Sequence, residues 1–412
     1  MDESLTPPPA IVDEDNYFDF FLPLPYRVLL LLNFGIWLWY INLKTCSKYS
    51  IDFLAVLKIS PNEVSSSKLL QRSLQSLYKI TSLNVVNYLA YFLIVSNGYY
   101  FKLIDWFPFL AIFITFNILF TGASDNDQDE KTPETKRFTS TAIRILKGGI
   151  DISIRNNDIL LADTFTSYNK VLIDFLVYFS ALILGYQVLP SSSDLSMDLS
   201  KDHLQMYNLD LILSCYPSLI RFSQCVFEWE QSRRRNKQHL GNAIKYSTSF
   251  VPVFINLLIR GGYIEGLKFW YLATFVNSAY SFFWDVTFDW NFVLFNDFLN
   301  GKLAKFDSPV LRHRLIYNKF AYFVAIILDL QLRFIWVYRI IFPEILPRAD
   351  HGILAFVGSS LFVNEFGTFM LEILEILRRW IWVFLKIETE YVKSIQEGTT
   401  PTDIELQNVR VA

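Results

Sequence analysis

Sulfur and imidazole are scarce in this 412-residue chain, which has three cysteines, four methionines and four histidines. Cys46, Cys215 and Cys225 show no CxxC spacing, so neither a disulfide scaffold nor a zinc site is expected. The histidines stand far apart, which leaves metal chemistry little to work with. Charge is thin as well, at 19% of residues with a net of −3. That balance is too small to attract nucleic acid or another strongly charged partner. No GxxxxGK(S/T) stretch is present to power an ATP-driven cycle, and no cofactor is expected. The first 26 residues hold six carboxylates and no Lys or Arg, so the basic region of a cleavable signal peptide is missing. No lipidation motif stands out at either end.

What is abundant is apolar surface. Hydrophobic residues make up 52% of the chain and aromatics 17%, with a mean hydropathy of +0.28. The charges that exist cluster between long apolar runs, the pattern of a polytopic membrane protein. About nine segments approach the ~20 apolar residues that a helix needs to cross a bilayer. They lie near 26–43, 79–97, 103–121, 158–188, 209–228, 240–259, 265–285, 318–342 and 351–387. The fold class expected is therefore all-α, a transmembrane helix bundle. Three segments exceed one bilayer thickness and should tilt, kink or run on beyond the hydrocarbon.

The loops alternate in charge. Those at 44–78, 122–157, 229–239 and 286–317 are basic, the third carrying Arg233-Arg234-Arg235 and Lys237. Those at 98–102, 189–208, 260–264 and 343–350 are base-poor. The positive-inside rule places the basic set in the cytosol, the acidic N-terminus on the lumenal side and the C-terminus in the cytosol. The chain then divides into an acidic lumenal segment (1–25), three transmembrane helices (26–121), a cytosolic linker (122–157), a transmembrane core (158–390) and a disordered cytosolic tail (391–412). Within the linker, residues 137–150 interleave bases with apolar residues, as an interfacial helix or an ordinary loop would.

Ionisable residues inside the apolar segments carry most information. A charge at the bilayer centre costs at least ~2.5 kcal/mol on insertion scales, so it should face a partner or a polar path. Asp163, Arg221, Lys245, Asp329, Arg333, Glu372, Glu375, Arg378 and Arg379 lie too deep to reach the interface easily. Asp329 and Arg333 share a helix face at i, i+4, and Glu375 stands three and four residues before Arg378 and Arg379. Helix-joining salt bridges explain one such pair. They explain a whole set less well, because membrane bundles pack through small residues and van der Waals contact. Arginine forks match oxyanions in bidentate geometry and keep their charge at any working pH. An anion path is the expectation.

These residues fall in stretches that resemble the EXS domain of eukaryotic phosphate exporters. Among them are Arg221-Phe-Ser-Gln-Cys225, Asn242-Ala-Ile-Lys-Tyr-Ser247, Asn277-Ser-Ala-Tyr-Ser281, Trp284-Asp-Val-Thr-Phe-Asp-Trp290, Leu332-Arg-Phe-Ile-Trp336 and Glu375-Ile-Leu-Arg-Arg-Trp-Ile-Trp382. Leu161-Ala-Asp163 and Lys386-Ile-Glu-Thr-Glu390 match too, so the likeness spans roughly 35–390. It implies that Asp163, Arg221, Lys245, Tyr246, Asp285, Arg333, Arg378 and Arg379 line a phosphate path. It also implies that Asp329, Trp336 and Glu375 stand at the gate or behind the path. Thr166 stands where the family's exporters usually have Asn, which bears on selectivity. Those exporters carry an N-terminal SPX domain, whereas this chain reaches its first predicted span near Tyr26. In that it resembles the SPX-less fungal ER-retention-defective (Erd) proteins of the Golgi.

The resemblance implies a transporter, not an enzyme, that returns inorganic phosphate from Golgi lumen to cytosol. It also implies support of glycosylation and of ER protein retention. Its expected partners are inorganic phosphate and the lipid bilayer, and no nucleic acid. A second reading is a non-transporting sorting receptor that holds glycosyltransferases in the Golgi through sorting adaptors. A membrane enzyme would have to draw on Asp125-Asn-Asp127 or Asp350-His351, which are poor catalytic candidates.

Overall fold

The computed structural model describes residues 14–59, 65–121, 133–190, 208–301, 309–338, 340 and 365–396, and every regular element among them is helical. The helices of eight residues or more, in chain order, begin with α1 (Glu14–Phe21), α2 (Leu24–Lys48), α3 (Ser66–Ser96) and α4 (Phe107–Thr121). Next come α5 (Pro133–Leu146), α6 (Arg155–Ser167), α7 (Asn169–Leu184), α8 (Leu209–Gln231) and α9 (Lys237–Thr248). The last four are α10 (Phe250–Arg260), α11 (Lys268–Trp284), α12 (Lys319–Arg333) and α13 (Glu365–Gln396).

Local chemistry sets many of the ends. Ser65 caps α3 by accepting from the Lys68 amide, and Asn236 caps α9 by accepting from that of Gln238. Gly185, at φ +77°, closes α7. Its amide donates to Leu182 O and that of Tyr186 to Ala181 O, the Schellman arrangement that needs a left-handed residue.

The exterior is apolar and several charges lie deep inside, unlike a water-soluble domain. Val86, Leu93, Phe113, Ile212, Phe254, Leu272 and Phe320 are all more than half exposed. Arg221, Asp285, Asp163 and Asp329 are each at most 2% exposed. A bilayer solvates the first set and forbids the second at its surface. Two apolar clusters occupy opposite ends of the bundle. One gathers Tyr26, Leu31, Tyr91, Tyr178, Phe369 and Ile376. The other gathers Leu43, Phe53, Trp290, Tyr322, Trp382 and Ile387. Both α2 and α13 run from the first cluster to the second, and the buried charges of α13 lie between.

The segmentation differs from nine simple spans. Leu24–Lys48, Ser66–Ser96 and Lys102–Thr121 are each long and apolar enough to cross a bilayer. Residues 152–167 and 169–184 pass only as a pair, bent by 63°, the form of a broken span or of a re-entrant loop. The expected span 158–188 falls on this bent pair, with the break at Tyr168, whose hydroxyl donates to Leu31 O of α2 at 3.1 Å. Gly35 makes room for that ring, because a Cβ there would lie 1.7 Å from the Tyr168 oxygen. The expected span 240–259 is also divided, into α9 and α10 at Ser249. Pro252 explains the break, since a continuous helix would set its ring against the carbonyl of Thr248. Among the described residues the remaining predicted spans do not pass on length and apolarity alone.

The tail expected from 391 starts later, because α13 continues to Gln396. Residues 1–13, 60–64, 122–132, 191–207, 302–308, 339, 341–364 and 397–412 lie outside the described residues. With them go parts of the N-terminal segment, the linker, the loops at 189–208 and 286–317, the loop at 343–350, the ends of two predicted spans and the tail. So do Asp125, Asp127, Asp350 and His351. Within the linker, 133–146 is helix α5, fastened to α6 by a bidentate pair from Arg144 to Asp158 at 2.8 and 2.6 Å.

Candidate functional site

Six segments converge on one buried network of charge. From α6 come Asp163, Thr166 and Ser167; from α8, Arg221 and Gln224; from α9, Lys245 and Tyr246. A π-helical turn, Asp285–Asp289, follows α11 and supplies both its aspartates. Asp329 and Arg333 come from α12, and Glu375, Arg378 and Arg379 from α13. The π turn widens the helix locally, a device common at functional positions.

Asp163 is the hub at one side. It accepts from Arg221 Nε at 2.9 Å and from the Tyr246 hydroxyl. Arg221 also donates to Gln224, which in turn donates to Gly149 O at 2.8 Å, and its guanidinium lies over the Tyr246 ring at 5.1 Å. Asp285 is the hub at the other side. It accepts from Lys245 Nζ at 2.8 Å and from Arg333, with Arg378 at 3.9 Å. Asp329 accepts from Arg333 at 3.2 Å and from Arg378 at 3.2 Å. Glu375 takes a fork from Arg378 at 2.9 and 2.6 Å. The i, i+4 and i, i+3 pairs expected from spacing both form, yet each also reaches across to another helix.

Arg379 behaves differently. Its Nε donates to Ser167 Oγ at 2.9 Å and a terminal nitrogen donates to Thr166 Oγ1 at 3.0 Å. Its plane sits over the Trp382 ring at 4.8 Å. Among the described residues no carboxylate lies within salt-bridge distance of it, although it is only 7% exposed. Asp163, Asp285, Asp289, Asp329 and Glu375 are thus paired with Arg221, Lys245, Arg333 and Arg378, and among the described residues Arg379 is the cation of this network whose hydrogen bonds go to hydroxyls alone. A hydroxyl gives up an arginine at lower cost than a carboxylate does, so this fork is the one most ready to take an oxyanion.

Of the expected site residues, Asp163, Thr166, Arg221, Lys245, Tyr246, Asp285, Asp329, Arg333, Glu375, Arg378 and Arg379 all belong to this network. Trp336 does not join it directly. It donates to Ser278 Oγ at 3.2 Å and stacks on Tyr271, both on α11. Sequence reasoning passed over Ser167, which bridges Arg379 and Glu375, accepting from one and donating to the other at 2.9 Å. It also passed over Asp289, which accepts from Lys245 at 3.4 Å, Lys386 at 3.3 Å and Trp382 Nε1 at 3.3 Å. Arg379, Trp382 and Lys386 stand at i, i+3 and i+7, a helical stripe that was open to recognition. Beside Lys386 a narrow crevice is lined by Val56, Asn156, Ile159, Leu160, Ile387 and Glu390. Among the described residues no group of three or more His, Cys, Asp or Glu is placed to hold a metal ion.

Comparison with known proteins agrees with this architecture. The model of the EXS family matches residues 22–392. Protein ERD1 homolog 1 of Schizosaccharomyces pombe is 28% identical over 81% of this chain and 85% of its own length. Protein ERD1 of Kluyveromyces lactis is 31% identical over 59% of this chain and 61% of its own. Solute carrier family 53 member 1 of Homo sapiens is 32% identical over 44% of this chain, which is 27% of that longer protein.

Proposed function

The chain belongs to the EXS family, and on that premise we propose that it carries inorganic phosphate across the Golgi membrane, from lumen to cytosol. The observation that carries the reading is Arg379, a buried guanidinium whose hydrogen bonds, among the described residues, go to hydroxyls only, set in a network of five carboxylates and five cations. Phosphate would take the Arg379 fork in place of Thr166 and Ser167. Arg378, Arg333, Lys245 and Arg221 would hand the anion on, each already balanced by a carboxylate. That balance keeps any one site from binding too tightly to release. The carboxylates hold the forks in place while the path is empty.

The direction and the compartment rest on the loop charges and on the resemblance to the fungal Erd proteins. Glycosylation with sugar nucleotides releases phosphate in the lumen, so an exit for it has a chemical reason. Support of glycosylation and of ER protein retention would follow from phosphate removal. The likeness to a protein named as a solute carrier is consistent with transport. The test is efflux of radiolabelled phosphate from proteoliposomes holding the full chain, against the same chain with Arg378→Ala and Arg379→Ala. Flux well above empty vesicles, lost in the double variant, is the expected result. Equal flux in both chains refutes the site assignment.

A further inference from the structure

A second charged cluster lies about two turns along α13 from Arg379, toward the end of the bundle that carries α1. Lys170 of α7 bonds to Asp174 one turn on, and its ammonium is also 3.6 Å from Glu372 of α13. Asp174 and Glu372 thus both reach the same ammonium. Their side chains are 5% and 7% exposed, whereas that of Lys170 is 40% exposed and forms the outer cover.

Among the described residues no second cation is paired with either carboxylate. From α2, Arg27 faces the cluster but is bonded to Asp19 of α1, to Glu365 of α13 and to Leu22 O. From α8, which packs on α7, Asp210 is committed to Arg260 at 2.9 and 2.7 Å. From α6 and deeper on α13, Asp163 and Glu375 belong to Arg221 and Arg378. Two buried carboxylates thus share one ammonium. With both ionised, one negative charge is left uncompensated in a low-dielectric interior. A proton held between the two carboxyls removes it, the usual outcome when like charges share a buried site.

From this we infer that Asp174 and Glu372 form a proton-binding site whose occupancy sets how readily the phosphate path fills from that end. The coupling part rests on the transport reading above. Seven residues of helix separate Glu372 from Arg379, about 10 Å. A negative charge at Glu372 therefore opposes an arriving anion, and a bound proton lifts that opposition. On the orientation proposed, the site opens to the lumen, so acid on that side would favour phosphate exit.

The full chain in bilayers is examined by infrared spectroscopy near neutral pH. A protonated-carboxyl C=O band is expected in the wild type, lost in Glu372→Gln and in Asp174→Asn. A spectrum unchanged by both substitutions overturns the proton site. Phosphate flux is then measured with the entry side stepped from about pH 7.5 to about pH 5.5. The wild type should gain up to roughly tenfold, the low end of electrostatic steering effects, and Glu372→Gln should already run fast at the higher pH. Phosphate's own ionisation is common to both chains, so identical pH profiles overturn the coupling. A wild type that keeps the band but passes no phosphate defeats the transport reading and supports the proton site.

Discussion

Replacing Asp163 by Asn removes one charge and almost no volume, which makes it a clean probe of the network. The carboxylate is 1% exposed and accepts from both Arg221 and Tyr246. Arg221, also 1% exposed, would be left as a buried charge whose remaining partners, Gln224 and Tyr246, are neutral. Breaking a buried pair in this way costs about 3–5 kcal/mol, because the abandoned charge keeps its desolvation penalty. In thermal denaturation of the detergent-solubilised chain the loss should appear as a fall of roughly 5–10 °C, at the small shift per kcal/mol typical of long chains. Arg221→Met should cost a similar amount for the mirror-image reason. The double variant carries neither charge, so its loss should fall short of the summed single losses by at least about 2 kcal/mol. If the two losses simply add, Asp163 and Arg221 are not coupled and the network does not operate as a unit.

Two further expectations concern other parts of the molecule. Gly35→Ala places a methyl where the Tyr168 hydroxyl now lies, 1.7 Å away, and should destabilise by about 1–3 kcal/mol as an overpacked contact. Trimming the ring with Tyr168→Leu should recover part of that loss in the same melting assay, and no recovery would deny the contact. At the end of the bundle where Arg155 pairs with Glu228, burial pushes the His239 imidazole below its ordinary range, against the opposing pull of Glu228 3.4 Å away. Folding then favours the neutral ring, so this contribution to stability is present above the unfolded value of about 6.5 and is lost as pH falls through it. NMR of ring-labelled chain should show a midpoint below about 6.5, and one above it would contradict the burial argument.

The individual charges of the site were legible because an ionisable residue in an apolar run stands out singly. Asp163, Arg221, Lys245 and Arg333 needed no partner to be noticed. Their pairing was legible only along a helix, as for Asp329 with Arg333. The bridges from Arg221 to Asp163 and from Lys245 to Asp285 join residues 58 and 40 apart, and spacing says nothing at that range. Ser167 and Asp289 were missed for another reason. A serine beside a helix break has many bland explanations, and Asp289 is brought to Lys245 by a π turn that local propensity does not announce. The break at Ser249 did have a local cause, Pro252, which apolar content masked. The break at Tyr168 did not, since it depends on Gly35 more than a hundred residues earlier.

Phosphate binding to Arg379 is the measurement closest to the centre of the account. Titration of purified full-length chain with radiolabelled phosphate should give a saturable site, weakened about tenfold to a hundredfold in Arg379→Gln, the loss of one or two charge-assisted hydrogen bonds. The glutamine keeps donors for neither Ser167 nor the anion in fork geometry, while Arg378 and its carboxylates remain. An unchanged affinity in Arg379→Gln, with the variant shown folded by its melting curve, would contradict the assignment of this hydroxyl-held guanidinium as the anion site.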